Sequence, residues 1–193
     1  MKIITIIILL ILSIPVVKAQ SPNTININSQ SADVIYKRVS PLHKEFHKGI
    51  HVFIFSDKAI TLAYDTTAIL GISNKNGFDL YREAFDLDLG EITCDRFDHE
   101  DQEVILVALK EDRQVIYNLF QIKADRVYYL GNTEMTLPDK ADEAILNLAI
   151  VNKLMVISLS DNQGMQLASS TLAINKKALE PVRSLPNMES YIN

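Results

Sequence analysis

Residues 103–174 are a succession of short apolar segments broken at regular intervals by turn residues. No other feature constrains the fold as tightly, because strands of this length joined by tight turns pair with their sequence neighbours in antiparallel order. Residues 103–109 (EVILVAL) are apolar on both faces, which predicts a central strand covered on both sides. Turns at 110–113 and 123–125 lead to strands at 115–122 and 126–130, with Gly131-Asn132 as a bulge or strand end. Residues 143–151 (EAILNLAIV) are ambiguous. Ala, Leu and Glu favour helix, yet Ala144, Leu146, Leu148 and Ile150 alternate as on one strand face. The tight junction Asn152-Lys153 into 154–159 decides for a strand, and Asp161 to Gly164 then predicts a type I turn with a glycine bulge.

An ungapped shift of 40 residues lays Glu103 on Glu143, Ile105 on Ile145, Asp112-Arg113 on Asn152-Lys153 and Leu119 on Leu159. Periods near that value belong to four-stranded propeller blades. The chain has room for three such units and holds no Trp for a Trp-Asp signature, whereas a closed propeller needs about four blades or more. The expected fold is therefore all-β: an antiparallel meander forming a sandwich or up-and-down barrel of about 8–10 strands, with one short helix, and with propeller-like blades as the alternative.

Upstream, residues 33–40 predict a first strand. The short helix is expected at 40–49, from Ser40 as N-cap, Pro41 at the first helical position and Gly49 as terminator, with Leu42 and Phe46 as its buried stripe. Residues 51–55, 60–64 and 68–72 predict three strands, and 78–89 continues the alternation. Residues 90–102 (GEITCDRFDHEDQ) are acidic and weakly periodic, and predict a long connection. Beyond 175 the tail carries Pro181 and Pro186, with a turn of helix expected at Ala178 and Leu179.

The N-terminus has Lys2, an apolar run over 3–14, Pro15, and Ala19 after Val17-Lys18. That is the pattern of a secretory signal peptide, and the run is shorter than the roughly 20 residues a bilayer helix requires. The expected organisation is a signal peptide at 1–19, a flexible Asn/Ser-rich leader at 20–32, a single β domain at 33–175 and a tail at 176–193. The destination is secreted or periplasmic, without a membrane span after cleavage. Cleavage would remove Lys2 and Lys18 and take the formal charge from −5 to −7. An acidic surface gains no counterion release from nucleic acid, so nucleic acid is not an expected partner. The single cysteine, Cys94, cannot pair within a monomer, so stability must come from the core.

Four groups of residues invite chemistry. His43, His47 and His51 stand at intervals of four, which on a helix would place His43 and His47 on one face as ligands to a metal such as zinc. A zincin would need Glu directly after the first His, and Lys44 stands there. The acidic residues Asp86, Asp88, Glu91, Asp95, Asp98, Glu100, Asp101 and Glu103 offer oxygens to calcium, but the EF-hand spacing fails at its third ligand. Cys94 with His99 resembles a nucleophile and base only in composition. Phe53, Phe55, Tyr128 and Tyr129 could line a groove, though adjacent Tyr128 and Tyr129 on a strand must point to opposite faces. No Gly-x-Ser-x-Gly elbow or phosphate-cradling glycine loop is present. The expected function is that of an exported, non-enzymatic binding protein: a carrier of a small apolar ligand, or an adaptor docking another envelope or extracellular protein. The alternative is a metal-dependent protein using His43 and His47.

Overall fold

A computed structural model describes residues 32–47, 49–64, 68–74, 77–83, 91–124, 126–139 and 141–181. The expected signal peptide, the leader up to Ser31 and residues 182–193 lie outside them. The described residues form fifteen strands and a single 3₁₀ turn at Ala141–Glu143. The antiparallel all-β architecture follows the expectation, with more strands and with three open sheets in place of a closed barrel.

The first outer sheet is an up-and-down meander of β3 (His43–His47), β4 (Ile50–Ile54), β5 (Lys58–Tyr64), β6 (Ala68–Asn74) and β7 (Gly77–Glu83), in sequence order. The middle sheet is built on β8 (Glu91–His99), β9 (Gln102–Glu111), β10 (Gln114–Lys123) and β11 (Arg126–Thr136), extended by β2 (Lys37–Val39) beside β8 and by β15 (Lys177–Leu179) beside β11. The second outer sheet runs β1 (Val34–Ile35), β12 (Ile145–Val151), β13 (Leu154–Ser160), β14 (Gln166–Ala173).

The side-chain period of two explains why the middle sheet can be buried on both faces. In β9, Ile105, Val107 and Leu109 pack with Phe53, Ile60, Leu62 and Leu70 of the first outer sheet. The intervening Val104, Leu106 and Ala108 pack with Leu146, Leu148, Met155 and Ile157 of the second. The reading of 103–109 as a doubly covered central strand is thus met. The molecule is two sandwich interfaces sharing one middle layer.

The 40-residue offset also has a structural counterpart. Hairpins β9–β10 and β12–β13 occupy sheets stacked face to face, and both turn at the superposed dipeptides. Asp112 takes φ 50°, and Asn152 and Lys153 take φ 50° and 65°, the pair of positive values that a two-residue type I′ hairpin requires. Gly164 donates its N–H to Asp161 O at 3.0 Å, closing the expected turn, and the register slips between Leu159 and Ser160. A second slip places Leu130 as the extra residue before Gly131. There φ is +118°, and a Cβ would meet Leu172 Cδ1 at 3.2 Å.

Four local expectations are corrected. The segment read as a helix at 40–49 is strand β3, and Leu42 and Phe46, its supposed buried stripe, are 74% and 67% exposed. An isolated two-turn helix has too few hydrogen bonds to offset nucleation, while the β-branched run of β4 offers a full ladder, and Gly49 at φ +79° serves the turn between them. The acidic stretch read as a connection is the nine-residue strand β8. Ile92 and Cys94 face one core and Phe97 the other, and its carboxylates are offset by Arg38 and Arg96. Ala178 and Leu179 lie in strand β15, with Leu179 in the core. The single first strand at 33–40 is two: buried Tyr36 marks the crossing from β1 in one sheet to β2 in the next.

Candidate functional site

Strand β3 spreads the histidines out. His43 and His47 share a face but are four strand residues apart, about 13 Å at the usual rise. His51 pairs across from Phe46, on the opposite face, and its ring lies 4.5 Å from that of Phe46. Partial burial holds the His51 imidazole below its usual range. The spacing of four converges on a metal only if the segment is helical. Among the described residues no group of three or more His, Cys, Asp or Glu side chains is placed to hold a metal ion. The acidic residues of β8 are divided between the two faces of the strand, while Asp86 and Asp88 lie outside the described residues.

Cys94 is 1% exposed, in the core between the middle and first outer sheets. Burial, and then the nearby Asp95, push its thiol far up, which is the environment of an inert cysteine. His99 points to the other face, edge-on to Tyr36 at 5.7 Å. Phe53 and Phe55 are core residues. Tyr128 and Tyr129 point to opposite faces as expected, but both pack against core clusters instead of one being core and the other surface, with Tyr129 donating its hydroxyl hydrogen to Asn118 Oδ1 at 3.1 Å.

Two other features stand out. The first is the β3 edge. Among the described residues it is the outermost strand of its sheet, all five residues are exposed, and it displays Phe46 together with His43, Lys44 and His47 against one acid, Glu45, with exposed Leu42 just before it. Lys44 Nζ lies 5.9 Å from the Phe53 ring centroid, so its stem follows the sheet while its charge stays outside. Residues 42–47 carry no period-two apolar pattern, and the Ser-Pro start and Gly end point to a helix, so the sequence held no local signal for this edge.

The second is a cleft of about 240 Å³ between the middle and second outer sheets. Thr93, Ala108 and Tyr117 stand side by side across β8, β9 and β10. The small Ala108 leaves a depression between its larger neighbours, and Leu146 and Leu159 form the opposite wall. At its end Arg38 donates to Asp95 Oδ2 at 2.9 Å. Burial, reinforced by Asp95 and opposed by Arg38, pushes the Tyr117 phenol up to about 12.

A partly buried ionic cluster fixes the first outer sheet to the middle one. Arg96 donates to Asp57 in the β4–β5 turn and to Asp98 at 2.9 Å, while Lys58 pairs with Glu103. Arg96 also lies over the Phe55 ring at 5.7 Å. For Asp57, burial acts upward but is outweighed by the hydrogen bond and charge of Arg96 and by Lys58, so its carboxyl is held below the usual range. These contacts position the β3–β4 end of the outer sheet without exposing the cluster's charges at the β3 edge.

Comparison with protein-family models, with curated proteins and with solved structures finds no match.

Proposed function

We propose that the protein is an exported binding module that docks another envelope or extracellular protein by adding an extended segment of that partner to the free edge of β3. The observation that carries this is an edge strand with every residue exposed, its one large apolar side chain, Phe46, included. Unprotected edges of this kind are templates for strand addition. Export rests on the signal-peptide pattern of residues 1–19. The partner's chemistry follows from charge. On a chain of net charge −5, the edge presents His43, Lys44 and His47, so an acidic segment with interspersed apolar residues is complementary. Carriage of a small apolar ligand has less support, since Leu62, Ile105, Leu106, Leu119 and Ile157 fill both interfaces and are 0% exposed.

The test uses fluorescently labelled decapeptides of alternating Asp and Val or alternating Lys and Val, titrated with the chain from Gln20 onward. The Asp–Val peptide is expected to bind more tightly, with affinity falling as salt rises. Lys44→Pro removes an edge N–H, which edge strands tolerate structurally, and should abolish binding. Equal binding of the two peptides, or binding unaffected by Lys44→Pro, would dismiss the reading.

A further inference from the structure

The geometry points to a second binding site, independent of the β3 edge: the Ala108–Tyr117 cleft takes a small neutral molecule with an apolar body and a polar end that both accepts and donates a hydrogen bond. Three observations support it. First, Tyr117 lines the cleft and is 4% exposed, and its hydroxyl is not among the fully buried unpartnered polar atoms, so it is open to the cleft rather than sealed in the core. A phenol in this setting ordinarily finds an acceptor. Second, Asp95 uses Oδ2 for Arg38 and lines the same cleft as Tyr117, so its second carboxylate oxygen is an acceptor beside that hydroxyl. Third, the charges along the cleft are matched. Arg38 is paired with Asp95, and Glu91 stands directly opposite Lys110 across β8 and β9.

A net charge on the ligand would therefore be desolvated without compensation. The walls contributed by Leu146 and Leu159 select an apolar body. The volume of about 240 Å³ is below the usual range for drug-sized ligands. A carboxamide on a branched alkyl group meets every requirement: its carbonyl accepts from Tyr117 and its N–H₂ donates to Asp95 Oδ1.

The experiment titrates the chain from Gln20 onward with isovaleramide, isovalerate and isoamylamine, which share a carbon skeleton and differ in charge, following amide and methyl resonances by NMR. Isovaleramide is expected to shift Thr93, Tyr117 and Leu146 saturably, at about millimolar affinity for so small a ligand, with the two charged analogues at least about tenfold weaker. Tyr117→Phe should weaken isovaleramide by roughly three- to tenfold, and Ala108→Leu should eliminate the shifts by filling the depression. If Ala108→Leu does not fold, Tyr117→Phe still decides, because it keeps the ring and removes only the hydroxyl. Absence of saturable shifts, isovaleramide binding unchanged in Tyr117→Phe, or isovalerate binding as tightly as the amide would each overturn the inference. None of these results bears on peptide binding at β3, which is on a different sheet.

Discussion

Strands β9 and β3 are both antiparallel strands paired through regular registers, and they meet opposite environments. Six consecutive residues of β9, Val104 to Leu109, are buried, three toward each outer sheet; all five residues of β3 are exposed. β9 is apolar along its buried run, whereas β3 carries one large apolar side chain, Phe46, among polar and charged ones. Position in the stack separates them too: β9 has strands on both sides and a sheet on each face, while among the described residues β3 has a strand on one side only. In β9 an apolar side chain is spent on cohesion, and in β3 the same kind of side chain is left available to something else.

The sharpest way to break this comparison is to truncate one residue of each strand. Leu106, 0% exposed and in contact with the second outer sheet, should lose about 3–5 kcal/mol of stability on Leu106→Ala, as buried leucines do when a cavity is left. The measurement is the urea midpoint with the slope held common to wild type and variant. A loss under about 1 kcal/mol would mean that the middle layer is less tightly packed than its burial implies.

The next largest effect concerns the contact between the layers that contain β9 and β3. Arg96→Met should cost about 1–3 kcal/mol, less than a fully buried pair would because Asp57 is half exposed. The same cluster predicts a pH dependence of definite sign. The Asp57 carboxyl is depressed in the folded state, so its contribution is complete above the unfolded carboxylate value of about 3.9 and is lost as pH falls through the lower folded value. Denaturation midpoints measured from pH 6 down to about 2.5 should fall less steeply for Asp57→Asn than for wild type. A steeper fall in the variant would show that the cluster does not act as described.

How much of this was legible depended on whether the signal was local or came from the stack. The doubly apolar 103–109 segment, the strand at 145–151 and the Asp161–Gly164 turn are determined by periodicity and turn chemistry, and all were readable. The segment 40–49 was not, because Ser40, Pro41 and Gly49 are genuine helix signals that lost to a ladder with β4. Strand β8 was obscured because Asp95 is paired with Arg38, 57 residues away, and Arg96 with Asp57 in another sheet's turn, pairings that no local window registers. The cleft depends on Ala108 lying between Thr93 and Tyr117, a row that exists only once three strands are in register.

A smaller and opposite effect is expected at the hairpin shared by the 40-residue repeat. Lys153 is held at φ 65°, where a β-carbon is strained and glycine is not. Lys153→Gly should therefore raise stability by about 0.5–1 kcal/mol, the strain relieved exceeding the entropy glycine adds to the unfolded chain. A rise in thermal midpoint of a few degrees is the readout for a domain of this size. A decrease would imply that Lys153 makes a stabilising contact beyond its turn.

The smallest stability effect is the most informative for function. Phe46 is 67% exposed, touching His51 but no core cluster, so Phe46→Ser should change stability by no more than about 0.5 kcal/mol, in contrast to Leu106→Ala. Its effect on binding the Asp–Val peptide should instead be large, at least tenfold, because an aromatic residue on an otherwise polar edge is the natural anchor for an added strand. Measuring both quantities on one variant separates the two uses of an apolar side chain. If Phe46→Ser unfolds the protein, β3 belongs to the scaffold after all; if it leaves both stability and peptide affinity unchanged, the exposed edge is not where the partner docks.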